Sequence, residues 1–181
     1  MKLLIIGHGR HGKDTVAECL RDDYGMTFKS SSMHCAEKVV YPVLKEQYGY
    51  TSVRQCYNDR HDHRAEWFDL IADYCKDDLA RIGREIFEVS DIYCGLRNKR
   101  EFHAIKNNGL VDFTIWVDRS DWVETEPKSS MSLEPWMADF VIDNNGTLDQ
   151  LYRNIDDLYN HLVYGDYKDL IMDLMNEPQV N

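Results

Sequence analysis

The stretch Gly7-His8-Gly9-Arg10-His11-Gly12-Lys13-Asp14-Thr15 lies between an apolar tetrad, Leu3-Leu4-Ile5-Ile6, and a segment with helical patterning. A buried strand, a glycine-rich turn and a helix in that order leave a chain few alternatives, because the turn must point its backbone N–H groups at one spot. Glycine at positions 7, 9 and 12 permits positive φ and close approach of backbone to ligand. The turn's N–H groups and the positive end of the next helix together make a cup for phosphate. Lys13 is placed to reach the β- and γ-phosphates of a nucleoside triphosphate. The expected nucleotide-binding set is therefore Gly7, His8, Gly9, Arg10, His11, Gly12, Lys13, Asp14 and Thr15. Within it, Arg10 either touches phosphate or points to water. His8 and His11 read as side chains directed outward rather than as a metal pair.

Position 14 departs from the usual hydroxyl. A carboxylate there can hold magnesium through the ion's waters, since magnesium keeps much of its hydration shell. Thr15 can supply a hydroxyl instead, and an acid at this place also favours the helix dipole. Asp14 and Thr15 are the candidate metal residues, the more so because Ile92-Tyr93-Cys94-Gly95-Leu96 carries no acid near its end.

With 181 residues the chain can bury one full core, and a net charge of −11 speaks against a partner as basic-face-dependent as long nucleic acid. From Asp139 onward nine acidic residues face only Arg153 and Lys168, which reads as a solvated outer surface. Cys19, Cys35, Cys56, Cys75 and Cys94 are scattered, odd in number and never paired as CxxC, so reduced thiols in a cytoplasmic protein are expected. No targeting segment or membrane span is expected, and a homodimer is left open.

The periodicity predicts strands at about 2–6, 26–29, 92–96, 112–117 and 140–142. Helices are expected at about 12–23, 33–47 (kinked or divided by Pro42), 64–74, 76–87, 98–107 and 148–162. The last should bury Leu148, Leu151, Ile155, Leu158 and Leu162 on one face. Residues 48–62 and 119–136 read as connections, and 167–175 as a short helix. Alternating strands and helices imply an α/β, three-layer sandwich: a mostly parallel five-stranded sheet with helices on both faces. Ligands in such folds sit beyond the carboxyl ends of the strands. Four segments converge there: the glycine loop, Ser30–Ser32, Gly95–Arg97 and Asp118-Arg119.

The second strand ends in Lys29-Ser30-Ser31-Ser32, without an acid. Kinases of hydroxyl groups often need a carboxylate to orient the acceptor, whereas a phosphate is already an anionic nucleophile. The missing acid favours a phosphate acceptor, with Ser30 and Ser31 as substrate-side candidates or as a helix cap. Arg54, Arg60, His61, His63, Arg64 and Trp67 form a basic, aromatic stretch. Arg60 and Arg64 are its candidates for an acceptor phosphate; the bland reading is a solvated loop. Trp116, Trp122 and Trp136 are expected at the core or the lid edge, with Trp122 able to cover a base.

The GxxxxGKDT loop, Gly95-Leu96-Arg97-Asn98 opening a helix with Glu101, Asp118-Arg119 after a strand, and Ala138–Gly146 at the end resemble the deoxynucleoside monophosphate kinases of bacteriophages. The last stretch is also similar to the related dephospho-coenzyme A kinases. The likeness covers about residues 1–160. It implies a P-loop kinase domain at 1–163 with a lid at about 119–135, and a C-terminal extension at 164–181. It implies ATP and Mg2+ as cofactors, a small-molecule nucleotide as substrate, and the host cytoplasm as location if phage-encoded. The implied catalytic residues are Lys13, Arg97 near the acceptor phosphate, and Arg119 in a mobile lid. Two other readings stay open: a P-loop kinase of a hydroxyl, such as a nucleoside or a hydroxymethylated base in phage DNA, and a nucleotide-binding module without turnover.

Overall fold

A computed structural model describes residues 1–176, with side chains to 165. The elements are β1 (Leu3–Ile6), α1 (Lys13–Tyr24), β2 (Phe28–Ser30), α2 (Ser31–Cys35), α3 (Tyr41–Tyr48), α4 (Val53–Asn58), α5 (Arg64–Tyr74), α6 (Arg81–Val89), β3 (Ile92–Cys94), α7 (Lys99–Asn107), β4 (Phe113–Asp118), β5 (Phe140–Asp143) and α8 (Leu148–Asn176). The five strands form one sheet in the order β2-β3-β1-β4-β5, and every pairing is parallel. The expected α/β sandwich is therefore present, with a wholly parallel sheet.

Successive side chains of a strand point to opposite faces, and here both faces are covered, so the strands are apolar throughout. Leu3 and Ile5 pack with Ile92, Ile115, Val117 and Ile142 against Val16, Ala17 and Leu20 of α1 and Leu151 and Ile155 of α8. Leu4 and Ile6 pack with Tyr93 and Trp116 against the opposite layer, from Cys35 and Val39 through Trp67, Ile82 and Ile86 to Phe102 and Ile105. All five cysteines are free and buried. Burial pushes the Cys19 thiol up to about 12, which keeps it a packing group.

The helix through Pro42 is divided, as expected: a π-helical turn, Ala36–Val40, joins α2 to α3, and Pro42 sits in the first turn of α3. Proline has no N–H and clashes with the carbonyl four residues back; a widened turn accommodates both. Other expectations need correction. The supposed connection at 48–62 contains α4 and a 3-10 turn, Asp59–His61. Ser52 caps α4 by accepting the Gln55 N–H at 3.2 Å, and Cys56 anchors it in the core. The helix expected at 76–87 begins at Arg81. Leu148 is 54% exposed rather than buried. The short helix expected at 167–175 is the continuation of α8, so the expected boundary at 163–164 falls inside one helix. Residues 177–181 of the expected extension lie outside the described residues. Among the described residues no helix is long and apolar enough to cross a membrane.

Candidate functional site

The loop between β1 and α1 has the backbone its glycines promised. Gly7 and Gly12 take φ of 141° and 95°, and Arg10, a non-glycine, takes 63°. Left-handed φ at a residue with a Cβ costs about 1 kcal/mol or more and persists where the surroundings over-determine it. Gly7 has no substitute: a Cβ there would stand 2.6 Å from the Val117 carbonyl oxygen, because the loop passes directly over β4. Lys13, first residue of α1, folds back and donates from Nζ to the His8 carbonyl at 2.5 Å. Burial draws its ammonium below the ordinary lysine value.

His8 and His11 do not point outward. His11 is fully buried; its Nδ1 accepts the Arg119 backbone N–H at 3.0 Å and its Nε2 lies 3.2 Å from the Val123 carbonyl. His8 Nδ1 accepts the Glu126 backbone N–H at 3.0 Å, and its ring meets Trp116 edge-on. With Nδ1 accepting, each neutral ring carries its proton on Nε2. The two imidazoles thus fasten the segment after β4 to the loop between β1 and α1. Burial, foremost, holds both below the ordinary histidine value; at His11 the Val123 carbonyl and Asp118 act against it.

That segment carries a residue the sequence reading did not single out. Glu126 accepts the Gly9 N–H at 2.6 Å and the Arg97 guanidinium at 2.5 Å. Burial pushes its carboxyl up, but Arg97 and the Gly9 N–H outweigh this and hold it below the usual carboxylate range. Nothing in the aperiodic stretch around Pro127 marks Glu126; its role exists through contacts 117 residues apart in the chain.

Arg119 lies on the other side of the loop, where Nη1 donates to the Asn144 backbone oxygen at 3.3 Å and to Oδ1 at 3.2 Å. Asn144, buried, donates from Nδ2 to the His11 carbonyl at 2.9 Å. Its signal was the Asn-Asn-Gly turn after the last strand, which the sheet brings to the same carboxyl edge. A cleft of about 310 Å³ opens here, lined by Arg10, Gly12, Thr15, Arg119, Asn144, Gly146, Leu148 and Leu151. Trp122, 72% exposed, donates from Nε1 to the Asn145 carbonyl at 2.6 Å beside it. The arc expected as a lid is tied down at both ends: Arg119 to Val123 hold to His11 and Asn144–Asn145, while Met131 and Leu133 are buried in the core.

The remaining candidates divide. Arg97 is at the loop mouth, and Asp14 is exposed at the end of β3, accepting the Cys94 thiol at 3.5 Å. Thr15 is half-buried on the cleft. Ser31 Oγ donates to the Gly95 carbonyl at 3.2 Å, clasping β2 to β3, and Ser30 Oγ meets Ser32 Oγ at 3.0 Å. Arg60 is turned onto Tyr57, its guanidinium 4.0 Å from the ring centroid and bonded to the Tyr57 carbonyl. Arg64 opens α5 and has no ion pair among the described residues. His63 stands between Asp59 and Glu66, and Trp67 is buried in the core, so only His63 of the basic stretch has carboxylate partners among the described residues and the Trp67 indole cannot stack a base. Glu101 is half-buried, with the Tyr93 hydroxyl donating to it at 3.0 Å, and desolvation pushes its carboxyl up to about 7. Among the described residues no cluster of three His, Cys, Asp or Glu side chains could hold a metal. The donors at Asp14 and Thr15 fit a hydrated cation that arrives on phosphates, to which the protein adds one or two ligands.

No protein-family model and no curated protein matches the sequence. Among solved structures, the chain is similar to a gluconokinase from Sinorhizobium meliloti 1021, with a TM-score of 0.51, 15% identity and coverage of 93% of this chain and 96% of that one. It is also similar to a shikimate kinase from Aquifex aeolicus vf5, with a TM-score of 0.50, 13% identity and coverage of 90% and 99%. At these identities the likeness establishes the fold alone: a three-layer α/β architecture shared with these two kinases over nearly the whole of each chain.

Proposed function

We propose that this chain is a magnesium-dependent kinase that moves the γ-phosphoryl group of ATP onto the phosphate of a nucleoside 5′-monophosphate, a deoxynucleotide by preference. One observation carries the reading: the Gly9 N–H and the Arg97 guanidinium converge on a single carboxylate at the mouth of the loop, with Lys13 close enough to act on its charge. Groups that hold an anion this way suit terminal phosphates, where catalysis is largely positioning and charge stabilisation. In this reading the loop amides and Lys13 bind the donor phosphates, and Arg97 binds the acceptor phosphate. Arg119 and Arg10 flank the donor's nucleoside in the cleft. Magnesium, when bound, supplies further neutralisation of the β- and γ-phosphates, and Asp14 through water and Thr15 directly are the residues to hold it. The absence of an acid in Ser30–Ser32 at the end of β2 supports a phosphate acceptor over a hydroxyl.

One observation favours a hydroxyl acceptor instead: Glu126 is a carboxylate beside Lys13 and Arg97, and a carboxylate there could orient an alcohol. A coupled assay of ADP release decides between them, run with all common ribo- and deoxynucleoside monophosphates, nucleosides, gluconate, shikimate and hydroxymethylated duplex DNA. The expected result is transfer to one or a few monophosphates, falling about 10²- to 10³-fold in Lys13→Ala. Transfer confined to alcohols would reverse the acceptor assignment. Tight ATP binding with no transfer to any acceptor would leave a binding module in its place.

A further inference from the structure

Glu126 is anchored better than an exposed loop requires. Its backbone N–H is held by His8, one carboxylate oxygen by the Gly9 N–H and the other by Arg97. Position 9 leaves room for this: a Cβ there would stand 3.3 Å from the Glu126 carboxyl carbon. Charge-assisted bonds to backbone N–H and guanidinium are the strong members of their class. The bonds also use the two groups that phosphates would need, the loop amide and the free face of the arginine. A donor triphosphate and the Glu126 carboxylate cannot both have the Gly9 N–H.

We propose that Glu126 is a built-in competitor of the donor nucleotide: its carboxylate stands in for a phosphate on the loop, and triphosphate binding displaces it and releases Arg97 for the acceptor. The proposal rests on the triphosphate reading above. Displacement needs little rearrangement. His8 holds the Glu126 backbone N–H and His11 holds Val123, so the carboxylate leaves by rotation of the Glu126 side chain away from the loop, with its backbone in place. Because Arg97 is engaged until Glu126 leaves, binding is ordered, donor before acceptor. An enzyme of this design does not gather its acceptor around a loop that lacks phosphate.

The test is calorimetric titration of a non-hydrolysable MgATP analogue, and separately of adenosine, into the wild-type protein, Glu126→Ala, Glu126→Gln and Glu126→Asp. Loss of the competing bonds should tighten analogue binding about 10-fold in Ala, the size of one charge-assisted hydrogen bond in part recovered, and by less in Gln, whose neutral amide oxygen still accepts the Gly9 N–H. Adenosine, which has no phosphate, should bind all four alike. Asp keeps the charge but falls short of the Gly9 N–H, so it should follow Ala if direct occupancy is the cause. Equal or weaker analogue binding in Ala overturns the proposal alone. Asp matching the wild type overturns it in favour of general repulsion. Failure of all four, wild type included, to bind the analogue overturns the triphosphate reading and this one with it. A direct readout is the Gly9 amide proton, which should shift upfield in the nucleotide-free Ala variant; an unchanged resonance also overturns the proposal.

Discussion

Two imidazoles inside the loop between β1 and α1 give this site a property that a loop of glycines and aliphatics would lack. His8 and His11 each accept a backbone N–H through Nδ1, from Glu126 and Arg119. A protonated ring has two donors and no acceptor, so protonation of either abolishes its bond to the segment after β4. Lys13 and Arg97 lower His8 further while Glu126 raises it; at His11, Asp118 raises and Lys13 lowers. In both cases burial dominates and the net direction is downward. The unfolded chain therefore takes up protons before the folded one as the pH falls through about 6.5, and this contribution to stability is intact above that pH and declines below it. Long-range 1H–15N spectra at pH 7.5 should show both rings with a bare Nδ1, and titration midpoints below 6.5. In melts between pH 7.5 and 5, the His8→Asn/His11→Asn double variant, whose amide oxygens accept without titrating, should lose less stability than the wild type. Midpoints at or above 6.5 would contradict the burial argument.

Short polar motifs at element ends hold the site's cations in place. Arg97 is followed at once by Asn98, whose Oδ1 accepts the N–H groups of Arg100 at 2.8 Å and Glu101 at 3.2 Å and so opens α7. On the other side, the Ser132 N–H donates to the Arg97 carbonyl at 3.0 Å, and Ser132 Oγ accepts the Lys99 N–H at 2.8 Å. Asn98→Ala should lower stability by about 1 kcal/mol in urea denaturation, within the range for lost N-caps. It should also weaken acceptor binding more than donor binding, because Arg97 loses one side of its support while the loop is untouched. An equal effect on both substrates would place Arg97 outside the acceptor's reach. The same reasoning about element ends shows where pattern reading fails. The spacing in 33–47 indicates a helix with a fault near Pro42, but not that the fault is absorbed one turn earlier as a π segment, within which Ala36, Val39 and Val40 stay buried.

Taken whole, the molecule is a parallel sheet whose carboxyl edge gathers the loop after β1, the Gly95–Arg97 bend after β3, the Asp118-Arg119 corner after β4 and the Asn144-Asn145-Gly146 turn after β5. Ligand binding at such an edge crosslinks several elements and should stabilise the fold globally. At 100 times its dissociation constant, MgATP should add about 2.7 kcal/mol. For a chain of this size that is a rise in Tm of roughly 5–10 °C. The rise should disappear in Lys13→Ala. A thermal scan without any shift at saturating MgATP would argue against the nucleotide reading as a whole.

The backbone of the glycine loop was legible because a tight turn between a buried strand and a helix demands glycine at set positions such as Gly7 and Gly12; local geometry alone enforces that pattern. Strand identities and the two-sided sheet were legible for a similar reason, since burial on both faces requires uninterrupted apolar runs such as Leu3–Ile6. The roles of His8, His11, Asn144 and Glu126 were not, because each depends on a partner more than a hundred residues away, and periodicity carries no information about such pairings. Trp67 shows the converse: an aromatic beside arginines reads as a stacking platform, and folding buries it. Local sequence thus determined the backbone of the loop between β1 and α1, while the tertiary structure decided which side chains fill its mouth. Hydrogen bonds at the site join atoms brought together by the closing of the sheet, not by their order in the chain.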